Sequence, residues 1–265
     1  MSKGITIGQY YQTDSAIHSL DPRVKLIATF VYIISLFVVN SWLGYLVAAA
    51  AIALVIRASH VPFRYIMRGL KAIIMILMIT VIFNLFLTDG TPLVSFWIFT
   101  ITYEGLQFAA KMAVRLIFLI IGSSMMTLTT TPNQLTDAME SVLGPLKKIH
   151  VPVHEISMMM SIALRFIPIL MEETDKIMKA QMARGADFDS KNLMKKIRSL
   201  IPLLVPLFIS AFRRANDLAM AMEARCYHGG EGRTKMKPLM YARRDFIAYG
   251  VLAAYFALCV VLRIL

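Results

Sequence analysis

Two short segments carry the residues best suited to chemistry on a partner. Gln181-Met182-Ala183-Arg184-Gly185 and Met222-Glu223-Ala224-Arg225-Cys226 share one pattern, Ala180-x-x-Ala183-Arg184 and Ala221-x-x-Ala224-Arg225. A guanidinium presents a planar fork of donors that pairs with a carboxylate or with backbone carbonyls. Small alanines beside it let a helix end slide into a groove. That is the chemistry of docking rather than of bond cleavage. An arginine in the last turn followed by glycine is also an ordinary way for a helix to end. One copy would carry little weight; two copies on similarly built segments carry more.

Few other chemical groups are arranged to act. Cys226 and Cys259 are the two cysteines, too few for a disulfide framework, and no metal-ligand spacing is present. No G-x-x-x-x-G-K-[ST] phosphate loop occurs. The charge-poor runs Leu26–Val39, Trp42–Ile56, Ala72–Leu87, Leu116–Leu128 and Phe246–Leu262 contain no Asp, Glu or His. Proton relays and ion pathways need ionisable groups facing a bundle interior, so these runs offer nothing to titrate. No inverted repeat of the kind seen in secondary transporters is visible. Lys111 and Arg115 are the exception; four residues apart, they share a helix face. They either snorkel to the outer interface or form a buried basic face, with Arg115 about 15 Å along the helix from Gly105.

The elements that position these groups follow from composition. The chain has 265 residues, 58% hydrophobic and 17% charged, with a mean hydropathy of +0.65. A span needs about 20 mostly apolar residues, which places five transmembrane helices near 25–40, 41–57, 71–88, 105–128 and 245–264. The first 25 residues are polar, so no signal peptide is expected. Lys3, Arg23 and Lys25 lie at or before the first span, and Arg57, Arg64, Arg68 and Lys71 lie between the second and third. Eighteen of the 28 Lys and Arg fall in 129–245, and the loop Thr88–Glu104 has none. This asymmetry puts the N-terminus and the 129–245 segment in the cytoplasm and the C-terminus outside. It also accounts for the net charge of +12 without nucleic acid, since no basic stripe interleaved with aromatics occurs.

The cytoplasmic segment is helical. Thr131-Pro132-Asn133-Gln134 is a capping box with proline at the first helical position, opening a helix at about 132–143. Helices at about 153–184 and 193–225 each have an oily first half, interrupted by Pro168 or by Pro202 and Pro206, and an amphipathic second half. Gly185 suits a left-handed helix end. The oily stems lie in the interface or bury against the bundle; a seven-span topology is the competing arrangement. Gly44 and Ala48 form a small-xxx-small pair that lets helices approach, within the chain or toward a partner. The fold class is therefore all-α, a polytopic membrane protein with long cytoplasmic or interfacial helices. Its parts are 1–128, 129–244 and 245–265.

These segments together resemble the transmembrane T component of energy-coupling factor (ECF) transporters, the vitamin and trace-metal importers of the ATP-binding cassette class. The resemblance rests on Leu20-Asp21-Pro22-Arg23-Val24-Lys25-Leu26, Thr130-Thr131-Pro132, Ala163-Leu164-Arg165-Phe166-Ile167-Pro168 and Gln181-Met182-Ala183-Arg184-Gly185. It covers nearly the whole chain. It implies a non-catalytic subunit of the cell membrane, without cofactor, contacting lipid, two ATPase subunits and a substrate-binding S component. It implies that Ala183-Arg184-Gly185 and Ala224-Arg225-Cys226 are the ATPase-docking tips, with 129–244 as the coupling domain. Cys226 departs from the family's glycine, so a different cap is expected there, with Gly229 as a later candidate. Nineteen methionines, several of them on the two long helices, suit either a surface that re-packs against partners or plain core filling. The other class of function left open is a self-sufficient carrier or a membrane-embedded enzyme.

Overall fold

The computed structural model describes residues 10–88, 90–96, 99–186, 188, 193–230, 232, 234 and 236–264. Lys3 lies outside them. Among the described residues, eight α-helices occur in the order α1 (Pro22–Val38), α2 (Trp42–Ser59), α3 (Phe63–Leu87), α4 (Tyr103–Thr129), α5 (Pro132–Val142), α6 (Val153–Ala183), α7 (Leu193–Glu223) and α8 (Arg243–Ile264). A 3-10 turn covers Gly144–Ile149. The chain is an all-α polytopic membrane protein, apart from one short hairpin.

That hairpin pairs β1 (Pro92–Phe96) with β2 (Phe99–Thr102) in antiparallel register between α3 and α4. The hairpin replaces the loop expected here, and the alternation of β-branched and aromatic residues is a strand signal. Thr102 closes the hairpin onto the helices. Its hydroxyl donates to the Thr88 carbonyl at 2.8 Å and accepts the Gly105 N–H at 3.1 Å, which caps α4.

Among the described residues, four helices, α2, α4, α6 and α8, are long and apolar enough to cross a membrane, and α3, bent by 58° near Lys71–Ile73, is a fifth if it counts as one span. α1 has 17 residues, slightly short for a straight crossing. α6 enters this set because the helix runs unbroken through Pro168 for 31 residues; from sequence its oily stretch looked too short. These assignments concern length and composition.

The described residues divide into two compact units, one formed by Leu143–Pro238 and the other by 10–142 and the chain from Leu239 onward. In the second unit α4 packs against α1, α2 and α3, and α8 against α1 and α2. Its core is Tyr32, Leu36, Ala48, Ile52, Val61, Ile66, Met125 and Leu128. Gly122 admits the Tyr32 ring, because a Cβ there would stand 2.6 Å from Cε1 of that ring. Ala48 is fully buried and Gly44 is buried against Val39, so the small-residue face serves packing within the chain. α5 lies on α1 and opens with the capping box: Gln134 N–H donates to Thr131 Oγ1 at 3.3 Å, and Thr131 N–H to Gln134 Oε1 at 3.1 Å.

Arg115 stays inside this unit. Its Nε donates to Tyr45 Oη at 3.1 Å, its Nη2 reaches the Val39 carbonyl at 3.4 Å, and the guanidinium lies over Phe37. Val39 caps the C-terminus of α1. The cation therefore faces the negative end of that helix, and no carboxylate partner is needed.

Candidate functional site

The site is built by the unit containing α6 and α7. Three contacts set the direction of the pair: Met158 Sδ to Tyr227 Oη at 3.1 Å, Glu173 Oε2 to Arg214 Nη2 at 3.2 Å, and Gln181 Nε2 to the Pro202 carbonyl at 3.3 Å. As the residue number rises on α6 it falls on the α7 side, so the helices run antiparallel. Each helix has 31 residues, about 45 Å at 1.5 Å per residue. The end of α7 lies beside the start of α6, and the end of α6 lies beside the start of α7. Arg184 and Arg225 consequently stand at opposite ends of the pair, about 40 Å apart at the same rise.

Both ends close with the same hydrogen bonds. At the first, Ala186 N–H donates to the Gln181 carbonyl at 3.0 Å and Gly185 N–H to the Met182 carbonyl at 3.0 Å. At the second, Tyr227 N–H donates to the Met222 carbonyl at 3.0 Å and Cys226 N–H to the Glu223 carbonyl at 2.8 Å. This is the paired 6→1 and 5→2 cap of a helix ending in a left-handed residue. The left-handed residue is Gly185 at φ +90° in one and Cys226 at φ +53° in the other. The expectation of a different cap at the second tip is thus corrected. Cys226 takes the glycine conformation itself, because φ near +57° is open to an L-residue at a modest cost. Gly229 has φ +100° but is not the cap.

The structure leaves the six tip residues where a partner can reach them. Ala183, Arg184, Gly185, Ala224, Arg225 and Cys226 are all exposed. Met182 and Met220, one beside each tip, are exposed as well. Among the described residues, no carbonyl or carboxylate pairs with either guanidinium. The stem of α7 buries Leu203 but exposes Ile197, Leu200, Ile201, Leu204, Phe208 and Phe212 at helical spacing. That apolar stripe is wide enough to need a cover of lipid or protein. Among the described residues no group of three His, Cys, Asp or Glu could hold a metal ion.

A second cluster gathers Asp21, Arg23 and Lys25, which the sequence offers as topology signals and as part of the motif that carries the family resemblance, with no contacts assigned. Asp21 caps α1, accepting the Arg23 N–H at 2.8 Å and gripping its guanidinium at 3.0 and 2.9 Å. Lys25 Nζ donates to the carbonyls of His18 and Thr129 at 3.0 and 2.9 Å. The second bond caps the end of α4 with a cation. His18 hydrogen-bonds Ser15 and the Tyr11 carbonyl. Burial, reinforced by the Lys25 charge, lowers its pKa despite the opposing Tyr11 carbonyl. The signal that could have found this cluster was an aspartate directly before Pro22 with arginine and lysine in the first turn.

With these arrangements in view, comparison with known proteins is decisive. Residues 13–236 match the family described as cobalt transport protein, CbiQ. The chain is 58% identical over 250 residues to the energy-coupling factor transporter transmembrane protein EcfT of Clostridium kluyveri, covering 94% of this chain and 93% of that one. The chain belongs to this family. Identity to the EcfT proteins of Acidaminococcus fermentans and Bacillus subtilis is 49% over 264 residues and 47% over 246. These alignments cover 99% and 92% of this chain, and 98% and 93% of the relatives. The chain is thus the T component of an ECF transporter, a multi-pass membrane subunit of a larger complex, and its six tip residues lie in the part of a T component outside the α1–α5 and α8 bundle.

Proposed function

We propose that the chain is the non-catalytic coupling subunit of an ABC-class importer, joining two cytoplasmic ATPases to a substrate-binding S component for uptake of a vitamin or trace metal. The observation that carries this reading is the pair of matching arginine caps, exposed at opposite ends of one antiparallel helix pair. A separation of about 40 Å is too wide for one groove and suits one tip per ATPase. Each arginine then meets an acidic or carbonyl-lined groove, while the alanines keep the helix end slim. Both tips must face the same compartment, so α6 and α7 lie along the cytoplasmic membrane surface in this reading. The apolar stripe of α7 is then covered by lipid or by the S component. Arg57 and Arg64 beside the α2–α3 turn, with Arg243 and Arg244 at the start of α8, support a cytoplasmic N-terminus in the cell membrane.

The test is Arg184→Ala combined with Arg225→Ala in the assembled transporter. Pull-down of the ATPases and uptake of the co-isolated S component's substrate are both expected to be lost, while insertion into the membrane is retained. Losing one arm of a desolvated charge pair costs about 2–5 kcal/mol, enough to release each ATPase. Arg184→Glu is expected to do worse than Arg184→Ala if the groove is acidic. Unchanged pull-down and uptake in the double variant would return both arginines to ordinary helix ends.

A further inference from the structure

The chain leaves the membrane unit after Val142 and re-enters it at Leu239. One side chain touches both crossings. The Arg23 guanidinium lies 3.9 Å from the centroid of the Tyr241 ring, and its Nη1 comes within 3.4 Å of Ser141 Oγ. Ser141 is in the last turn of α5, which packs on α1. Tyr241 is itself held on α8 by Phe246 and Tyr249, at ring distances of 6.0 and 6.2 Å.

The rest of the cluster braces this contact. Asp21 holds Arg23 in a two-pronged grip, with the two side chains 3% and 13% exposed. Asp245, 1% exposed, accepts the Asp21 N–H at 2.9 Å and the Ala242 N–H at 2.8 Å. One carboxylate therefore ties the cap of α1 to the irregular segment entering α8. An ion pair with one arm partly exposed adds little net stability. What this one supplies is a single orientation, since a guanidinium fork on a carboxylate admits few geometries. Stacking on Tyr241 fixes the remaining face.

We propose that Arg23, oriented by Asp21, is a positioning residue for transport. It pins the outgoing and returning crossings to the start of α1, so that displacement of α6 and α7 moves α1 and α8 instead of being absorbed in the connecting segments. This rests on the coupling role proposed above.

The experiment uses the full complex in vesicles, with spin labels at Phe108 on α4 and Val251 on α8, and ATP as the probe. Both positions are exposed, at 46% and 63%. In the unsubstituted protein, ATP shifts the distance between the labels. In Arg23→Gln the shift is expected to fall by more than half, while ATPase pull-down is retained and hydrolysis stays within twofold. Arg23→Lys, with charge but no fork, is expected to be intermediate. Tyr241→Phe, which keeps the ring, should match the parent. Tyr241→Ala leaves the Asp21–Arg23 pair intact and is the second variant should Arg23→Gln fail to assemble; it too should lose the shift. A full shift in Arg23→Gln or in Tyr241→Ala overturns the positioning role alone. No shift in the unsubstituted protein overturns the coupling role and the positioning role together.

Discussion

The two helix ends offer an internal control for the energetics of a left-handed cap. Cys226 sits at φ +53° and Gly185 at φ +90°. A Cβ in the left-handed region costs about 1–2 kcal/mol. A glycine in the same place returns about 0.4–1 kcal/mol of that through the greater freedom of the unfolded chain. Cys226 is close to the centre of the left-handed well near +57°, so Cys226→Gly should strengthen its cap by about 1 kcal/mol at most. Gly185 lies beyond that well, so Gly185→Ala should weaken its cap by about 1 to 1.5 kcal/mol. Nothing crowds the Gly185 position, where a Cβ would meet no atom within 4 Å, so the backbone term decides the sign. The assay is amide hydrogen exchange at Tyr227, whose N–H is bonded to the Met222 carbonyl, and at Ala186, bonded to the Gln181 carbonyl. Exchange at Tyr227 should slow by up to about fivefold in Cys226→Gly, and exchange at Ala186 should quicken about five- to tenfold in Gly185→Ala, at 1.4 kcal/mol per factor of ten. Faster exchange at Tyr227 in Cys226→Gly, or slower exchange at Ala186 in Gly185→Ala, would refute the cap argument.

The native cysteines report docking without substitution. Exposed Cys226 should react with maleimide in the free protein and be shielded when the ATPases bind, whereas buried Cys259 stays silent throughout; equal labelling of Cys226 with and without ATPases counts against its tip. Gly122→Ala should lower stability by about 1–3 kcal/mol through overpacking, since the new methyl meets the Tyr32 ring; an unchanged denaturation midpoint would show that the ring relocates freely. His18 is neutral in the fold and its pKa is lowered from 6.5, chiefly by burial. The stability that comes from burying the neutral ring is therefore complete above pH 6.5 and is lost as pH falls from there through the lowered value. Exchange at the Tyr11 amide, bonded to the Leu128 carbonyl, should rise over that acidic window and not in His18→Gln.

The membrane class, the long helices and the two arginine tips were legible in the sequence because each is a local property. Apolar runs of sufficient length follow from hydropathy, and Thr131 with Gln134 needs only the two residues that bond. A glycine after an arginine announces a helix end through one φ angle. Other features depended on what lies far away in the chain. Cys226 carries no glycine signal, and only the Tyr227 and Cys226 bonds back to Met222 and Glu223 show that it adopts the glycine role. Arg115 looked like a cation without a partner because its acceptors, Tyr45 and the Val39 carbonyl, are distant in sequence and uncharged. Nothing along the chain links Asp21 and Arg23 to Asp245; the fold brings residue 21 against residue 245. The antiparallel course of α6 and α7, and with it the separation of the tips, came from three cross-helix contacts that no periodicity encodes. Period and propensity are set by neighbours along the chain, whereas a partner for a buried charge or a helix direction is set by which surfaces exclude each other from solvent, and that is decided only when the whole chain packs.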